Sequence, residues 1–271
     1  MKIFKIFKLL LRKNFFKVIS IVFILILVFI CLPQIALPQT TSVEYICAGT
    51  DYETPAYIIQ TNYKKPAILI IAGTHGNELA GIRATQYLKD NIEIERGTLI
   101  IIPRANILAC DKNVRNFPSD VNLNRVYPGK SEGNEVERLA YKIFDLAKRY
   151  DIDLLVDLHE SIEFYKNNSQ NYGQTLVIDS NDDYLFNLSS SIVEEMNKGI
   201  FDNNNKYQVL VKPIEGSAAY SAYYQLNIPA FTFETCRKLP LAFRIQEHIR
   251  LVKIILFRWN MIAVEEINNQ K

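Results

Sequence analysis

Short apolar runs alternate with longer segments of helical periodicity along most of the chain. The runs that predict strands cover residues 42–47, 56–61, 67–72, 97–103, 153–158, 174–178, 207–212 and 230–234. The segments that predict helices cover residues 79–90, 135–150, 183–197 and about 241–267. Strands that alternate with helices are typical of a three-layer α/β/α domain, here with a mostly parallel mixed central sheet.

The amino-terminal pattern is different from the rest. Residues 1–17 contain six lysines and arginines and no acidic residue, and residues 18–32 are almost entirely apolar. Such a segment is typical of a signal peptide or a membrane anchor. The run is shorter than the roughly 20 residues that a spanning helix prefers, which favours a cleaved signal. Residues 34–41 lack a small-x-small cleavage site, however, and this favours an anchor.

These observations divide the chain into residues 1–40, a basic leader with a hydrophobic helix, and residues 41–271, one α/β domain. Because positive residues stay in the cytoplasm, the domain is expected outside it, anchored to the membrane or secreted after cleavage. The net charge of +2 depends on the basic leader. The remaining chain would be mildly acidic, so no nucleic-acid partner is expected. Three cysteines outside the apolar segment match no metal-binding spacing.

Candidate metal ligands follow two predicted strands. His75 and Glu78 lie in a glycine-bounded turn directly after residues 67–72, and His159 follows residues 153–158. The carboxyl ends of parallel strands meet at one edge of a sheet, where α/β proteins keep their sites. Two imidazoles and a carboxylate suit zinc, and three protein ligands leave a position for water. We therefore predict one Zn²⁺ per chain, held by His75, Glu78 and His159.

Further residues extend this pattern into a family resemblance. Arg115, the pair Asn124 and Arg125, and Glu234 occur with the three candidate ligands in the order and approximate spacing of the zinc carboxypeptidase superfamily. The chain resembles in particular its succinylglutamate desuccinylase/aspartoacylase-like branch, from about residue 67 to 236. The resemblance implies a zinc carboxypeptidase-like fold and a zinc-dependent hydrolase.

Roles for the remaining residues follow from this resemblance. It implies that Glu234 transfers the proton of the attacking water to the leaving nitrogen, and that Arg115 stabilises the oxyanion, with Arg104 as the alternative. Asn124 and Arg125 would hold a substrate carboxylate. A structural ion pair of Glu234 with Arg237 or another cation remains the alternative interpretation of the glutamate.

The sequence leaves open the roles of Asn122, Asp157 and His248 and the position of a tyrosine near the leaving group. The resemblance implies an aspartate at the position of Asn122, and an asparagine brings no charge to support a zinc ligand. Asp157 either orients His159 or makes a structural hydrogen bond, and His248 is interpreted as a packing or surface residue. The tyrosine that related peptidases place near the leaving group is not determined by spacing; the candidates are Tyr207, Tyr220, Tyr223 and Tyr224.

The sequence predicts the type of reaction, zinc-dependent amide hydrolysis, more narrowly than it predicts the substrate. A peptide or an N-acyl amino acid with a free carboxylate is expected. The leader favours a metallocarboxypeptidase that acts outside the cytoplasm on peptide or peptidoglycan stem-peptide bonds. An N-acyl amino acid deacylase is the second hypothesis, and a catalytically inactive, membrane-tethered binding module is the third.

Overall fold

The structure is a computed structural model that describes residues 39–268, and its centre is one eight-stranded sheet. The strands are β1 (Thr40–Ile46), β2 (Thr54–Gln60), β3 (Ala67–Ala72), β4 (Thr98–Ile102), β5 (Leu154–Ser161), β6 (Thr175–Ile178), β7 (Gln208–Val211) and β8 (Ala230–Cys236). Their order is β1-β2-β4-β3-β5-β8-β6-β7. The central strands β4, β3, β5 and β8 are parallel, whereas β1, β2 and β4 pair antiparallel, as do β8 and β6. The predicted mixed sheet is confirmed.

Helices cover both faces of this sheet. They are α1 (Leu79–Asn91), α2 (Ile107–Lys112), α3 (Glu135–Arg149), α4 (Asp183–Asn197), α5 (Ala218–Ser221), α6 (Leu241–Arg258) and α7 (Val264–Asn268). Ile68 and Ile70 of β3 point into a core shared with α1, α4 and α6. Leu69 and Ile71 point the other way, towards α3 and α5. This alternation on a fully buried strand produces the three layers.

The structure differs from the predicted elements at their ends. β5 and β8 continue to Ser161 and Cys236, beyond the predicted ends at residues 158 and 234. The added residues of β5 pair with residues 234–236 of β8, so His159 lies directly beside Glu234. Hydrogen bonds to the neighbouring strand, which local periodicity does not report, hold the extra residues in the sheet.

The predicted closing helix, about residues 241–267, is two helices instead of one. Asn260 has the left-handed φ of 53° just after α6, and Met261 donates its N–H to the carbonyl of Leu256. This is the hydrogen-bonding pattern of a helix that ends in a Schellman motif. The long connection over residues 104–131 also contains α2 and a 3₁₀ turn, Leu123–Arg125.

The predicted leader falls almost wholly in the part of the chain before the first described residue. Its placement in a membrane therefore stays a prediction. Within residues 39–268, no helix combines the length and the apolar character needed to cross a bilayer.

Candidate metal centre

The turn between β3 and α1 brings two candidate ligands to the edge of the sheet. It requires two glycines. Gly73 has a φ of 70°, and a Cβ on Gly76 would lie 2.0 Å from the carbonyl carbon of Ala109, so no other residue fits there. The turn thereby places His75 and Glu78 side by side, and both are almost fully buried.

His159 completes a buried cluster with these two residues. The Nδ1 atom of His75 lies 2.8 Å from Oε1 of Glu78, and the Nδ1 atom of His159 lies 2.9 Å from Oε2 of the same carboxylate. The two Nδ1 atoms are 3.2 Å apart, and one donor atom from each residue lies within 4.8 Å of the others. Two imidazole nitrogens and a carboxylate oxygen that converge in this way are a donor set that fits zinc.

The outward nitrogen of each imidazole has its own partner. Nε2 of His159 lies 2.8 Å from Oδ2 of Asp157, and Oδ1 of Asp157 accepts a hydrogen bond from the hydroxyl of Thr74 at 3.1 Å. Nε2 of His75 lies 3.0 Å from Oδ1 of Asn122. These contacts turn both Nδ1 atoms inward, which is the orienting role of such partners in metal sites. Asp157 therefore makes the contact that orients the His159 ring.

Electrostatic interactions within the cluster are strong because the groups are buried together. Burial would raise the pKa of Glu78, but the charges of His75 and His159 outweigh it and hold that pKa well below its ordinary value. Burial would lower the pKa of His159, but the carboxylates of Asp157 and Glu78 hold it well above its ordinary value. The site thus stabilises a positive charge between its ligands.

Glu234 lies beside this cluster with one carboxylate oxygen uncommitted. Its side chain is on β8 opposite His159, and its Oε2 atom is buried without a hydrogen-bond partner among residues 39–268. Burial raises its pKa to about 8. The alternative ion pair with Arg237 is absent from the described region, because that guanidinium donates instead to the carbonyl of Asn77 at 2.7 Å.

The two arginines considered for the oxyanion are separated by the fold. Nη1 of Arg115 lies 2.9 Å from Oε1 of Glu78, and the Arg115 side chain is half exposed. Arg104 instead forms an ion pair with Asp111. Of these two cations, only Arg115 contacts a member of the cluster.

Asn124 and Arg125, the two residues predicted to bind a substrate carboxylate, lie in different environments. Asn124 is buried: its Oδ1 accepts the N–H of Ala218 at 3.2 Å, and its Nδ2 lies 3.5 Å from Nε2 of His159. Arg125 is exposed, and its Nη1 donates to the carbonyl of Asn124. The guanidinium is therefore available to an anion, whereas the Asn124 amide links the site to α5.

Tyr207, Tyr224 and His248 contact other parts of the fold. Tyr207 is buried and stacks on Phe233 at 5.0 Å, and the hydroxyl of Tyr224 donates to the carbonyl of Asp179. His248 is fully buried against the ring of Phe233, which agrees with its interpretation as a packing residue. Thr74 and Glu160 directly adjoin the candidate histidines in the chain, but no sequence motif singles out their contacts with Asp157 and with α1.

Comparison with known proteins supports the predicted family. The succinylglutamate desuccinylase/aspartoacylase catalytic domain matches residues 64–251. An N-alpha-acetyl-L-2,4-diaminobutyric acid deacetylase of Halomonas elongata is 37% identical over 100 residues, which are 35% of this chain and 28% of that protein. An aspartoacylase of Danio rerio is 34% identical over 135 residues, which are 45% of this chain and 39% of that protein.

Solved structures show the same fold at low sequence identity. Csd4 of Helicobacter pylori, a D,L-carboxypeptidase, has a TM-score of 0.66 and 19% identity over 73% of this chain and 51% of its own. The ectoine utilization protein EutE (DoeB) of Ruegeria pomeroyi has a TM-score of 0.64 and 20% identity, over 86% of this chain and 71% of its own. The matched regions thus span about half of Csd4 and well under half of the two curated relatives.

Proposed function

The chain belongs to the succinylglutamate desuccinylase/aspartoacylase family, and on that premise we propose that it is a zinc-dependent amide hydrolase. One arrangement carries the proposal. A buried set of three zinc-type ligands lies beside Glu234, which keeps an uncommitted oxygen. A binding module has no need for a raised-pKa carboxyl group next to a metal site, so the arrangement favours an enzyme over the inactive alternative.

The described residues suit the steps of amide hydrolysis. Bound by His75, Glu78 and His159, zinc would supply a Lewis acid and lower the pKa of a water molecule towards about 7. Glu234 would accept the proton of the attacking water at Oε2 and return it to the leaving nitrogen. A pKa raised by burial suits this exchange, since a proton carrier works best near the operating pH. Arg115 would donate to the developing oxyanion.

We propose a peptide with a free carboxylate as the first substrate class, and a peptidoglycan stem peptide as its most specific member. The exposed guanidinium of Arg125 offers a bidentate partner for such a carboxylate. Support also comes from Csd4, which was solved with mDAP and with a tripeptide bound. The predicted leader would place the domain where such peptides occur, outside the cytoplasm.

An N-acyl amino acid is the second substrate class. The family itself and the two curated relatives, a deacetylase and an aspartoacylase, favour it. The same residues would serve both classes, because each reaction hydrolyses an amide in a substrate that carries a carboxylate. Assaying muropeptide tri- and tetrapeptides in parallel with N-acetyl and N-succinyl amino acids separates them. Release of a terminal amino acid supports the first class, and release of acetate or succinate supports the second.

The extracytoplasmic location has its own test. Protease added to intact cells should degrade the domain if the leader anchors it outside, and the protein should appear in the medium if the leader is cleaved. A domain that is protected until the cells are lysed would contradict the proposed location without affecting the proposed chemistry.

Glu234→Gln tests the mechanism. The amide preserves the size of the side chain but cannot accept the water's proton, so turnover should fall roughly a hundred- to ten-thousandfold. Zinc content, measured by elemental analysis, should remain at the parent level, because Glu234 is not in the ligand set. A variant that hydrolyses substrate as fast as the parent would refute the role of Glu234. If the parent shows no turnover and Glu234→Gln binds the ligand as tightly as the parent does, the binding-module hypothesis would be favoured.

A further inference from the structure

Helix α1 begins at the metal site without a side-chain cap from its own N-cap residue. That residue is Glu78, and its side chain makes no capping hydrogen bond to α1 in the part of the chain that the structure describes. Both carboxylate oxygens instead face the imidazoles of His75 and His159. The first N–H groups of a helix need partners, so another residue has to supply an acceptor.

Glu160 supplies it from a different element. It follows His159 on β5, and its Oε2 atom accepts the backbone N–H of Ala80, in the first turn of α1, at 3.0 Å. In return, the backbone N–H of Glu160 donates to Oε2 of Glu78 at 3.0 Å. The two segments that carry the metal ligands thereby exchange hydrogen bonds, each through a glutamate carboxylate.

A buried ion pair holds Glu160 in this position. Its Oε1 atom pairs with Nη1 of Arg244 on α6, and the two side chains are 1% and 12% exposed. The hydroxyl of Thr235, on β8 next to Glu234, lies 3.5 Å from the same oxygen. The guanidinium is held in turn by the carbonyl of Leu239, which accepts from Nε at 2.9 Å. The pair thus connects α6 to the edge of the sheet where the ligands lie.

We propose that Glu160 and Arg244 are positioning residues for the metal site. Glu160 caps α1 in place of Glu78, so the Glu78 carboxylate can face His75 and His159 instead of the helix. Arg244 balances the buried charge of Glu160 and ties the position of that carboxylate to α6. The inference rests on the proposed zinc site. It holds that Glu160 and Arg244, which are not ligands, keep the ligands in the positions that zinc binding requires.

The test is the zinc dissociation constant of the purified full chain, measured by competition with a chromophoric chelator at a temperature where every variant is folded. Glu160→Gln keeps an acceptor for Ala80 but loses the ion pair, and Arg244→Met leaves the carboxylate unbalanced. Each change should weaken zinc binding about ten- to a hundredfold, the usual effect of losing an outer partner. The double variant should lose less than the product of the two, because the residues act as a pair.

Arg250→Met is the matched control. Arg250 lies on the same helix, but its guanidinium donates to the carbonyls of Glu195 and Met196 at the end of α4. This change should lower the melting temperature and leave zinc affinity unaltered. Parent-like zinc affinity in folded Glu160→Gln and Arg244→Met would overturn the positioning role alone, and so would an equal loss in Arg250→Met. A parent that binds no zinc would overturn the proposed hydrolase as well.

Discussion

At the scale of single residues, the two candidate histidine ligands have unequal outer partners. The ring of His159 faces the carboxylate of Asp157, whereas the ring of His75 faces the amide of Asn122. A carboxylate makes the attached imidazole more basic, and therefore a better ligand, than an amide does. Asn122, where the resemblance implies an aspartate, thus lies in direct contact with a candidate zinc ligand.

Asn122→Asp should correct this difference. The new carboxylate can still accept the backbone N–H of Asn124, which lies 2.9 Å from Oδ1, and it would strengthen His75 as a ligand. We expect the zinc dissociation constant at pH 8 to fall by about ten- to a hundredfold, measured by chelator competition. Asn113→Asp adds the same charge at an exposed position in the same connection and serves as control. Equal or weaker zinc binding in Asn122→Asp would contradict the expectation.

At the scale of elements, the register of β5 on β8 is the feature that assembles the site. It places Glu234 beside His159, and side chains of paired residues on neighbouring strands project to the same face. The ends of the parallel strands then supply the turn to α1 with His75 and Glu78. Each element contributes one or two groups, and none of them holds a complete site.

Asp179, directly after β6, connects the end of that strand to the backbone of Ile214. Its Oδ1 atom accepts the N–H of Ile214 at 2.7 Å, and burial raises its pKa from 3.8 to about 6. The folded state therefore binds more protons than the unfolded state between about pH 4 and pH 6. The free energy of unfolding should consequently fall as the pH rises through this window, and the loss should be complete above it.

Asp179→Asn should remove this dependence. The amide can still accept from Ile214 but carries no charge, so the variant should be more stable than the parent at pH 8, by up to roughly 3 kcal/mol. Urea denaturation at pH 8 and at pH 4 measures the difference, and the advantage should disappear at pH 4. A variant that is less stable than the parent at pH 8 would contradict the assigned cause.

At the scale of the whole molecule, the proposed zinc site should couple metal binding to folding. The three ligands come from two distant segments, so the unfolded chain has no preformed site, and zinc that binds only the folded state stabilises it. At a free zinc concentration a hundred times the dissociation constant, the gain is about 2.7 kcal/mol. For a domain of this size it should raise the melting temperature by roughly 5–10 °C.

Thermal melts with zinc and with EDTA measure this shift. His75→Ala and His159→Ala should abolish most of the zinc-dependent rise in melting temperature. Arg250→Met should show the same rise, starting from a lower melting temperature without zinc. An identical melting temperature with and without zinc, in a parent that elemental analysis shows to be loaded, would mean that the folded and unfolded chains bind zinc equally well, and it would contradict the coupling.

Much of this molecule could be predicted from local patterns. Buried strands of β-branched residues and amphipathic helices follow from the periodicity of their side chains, as β3 and α3 illustrate. His75, Glu78 and His159 could be selected because residues that follow parallel strands meet at one edge of a sheet. The family, too, was identified by motifs whose order along the chain is visible in the sequence.

The tertiary structure alone decided which groups are partners. Arg115 rather than Arg104 contacts Glu78, Arg237 donates to Asn77 rather than to Glu234, and Glu160 caps a helix that begins some eighty residues earlier in the chain. The sequence determined which segments form strands and helices because that depends on near neighbours in the chain. The partners depend on strand register and helix packing between distant segments, and local periodicity carries no information about those contacts.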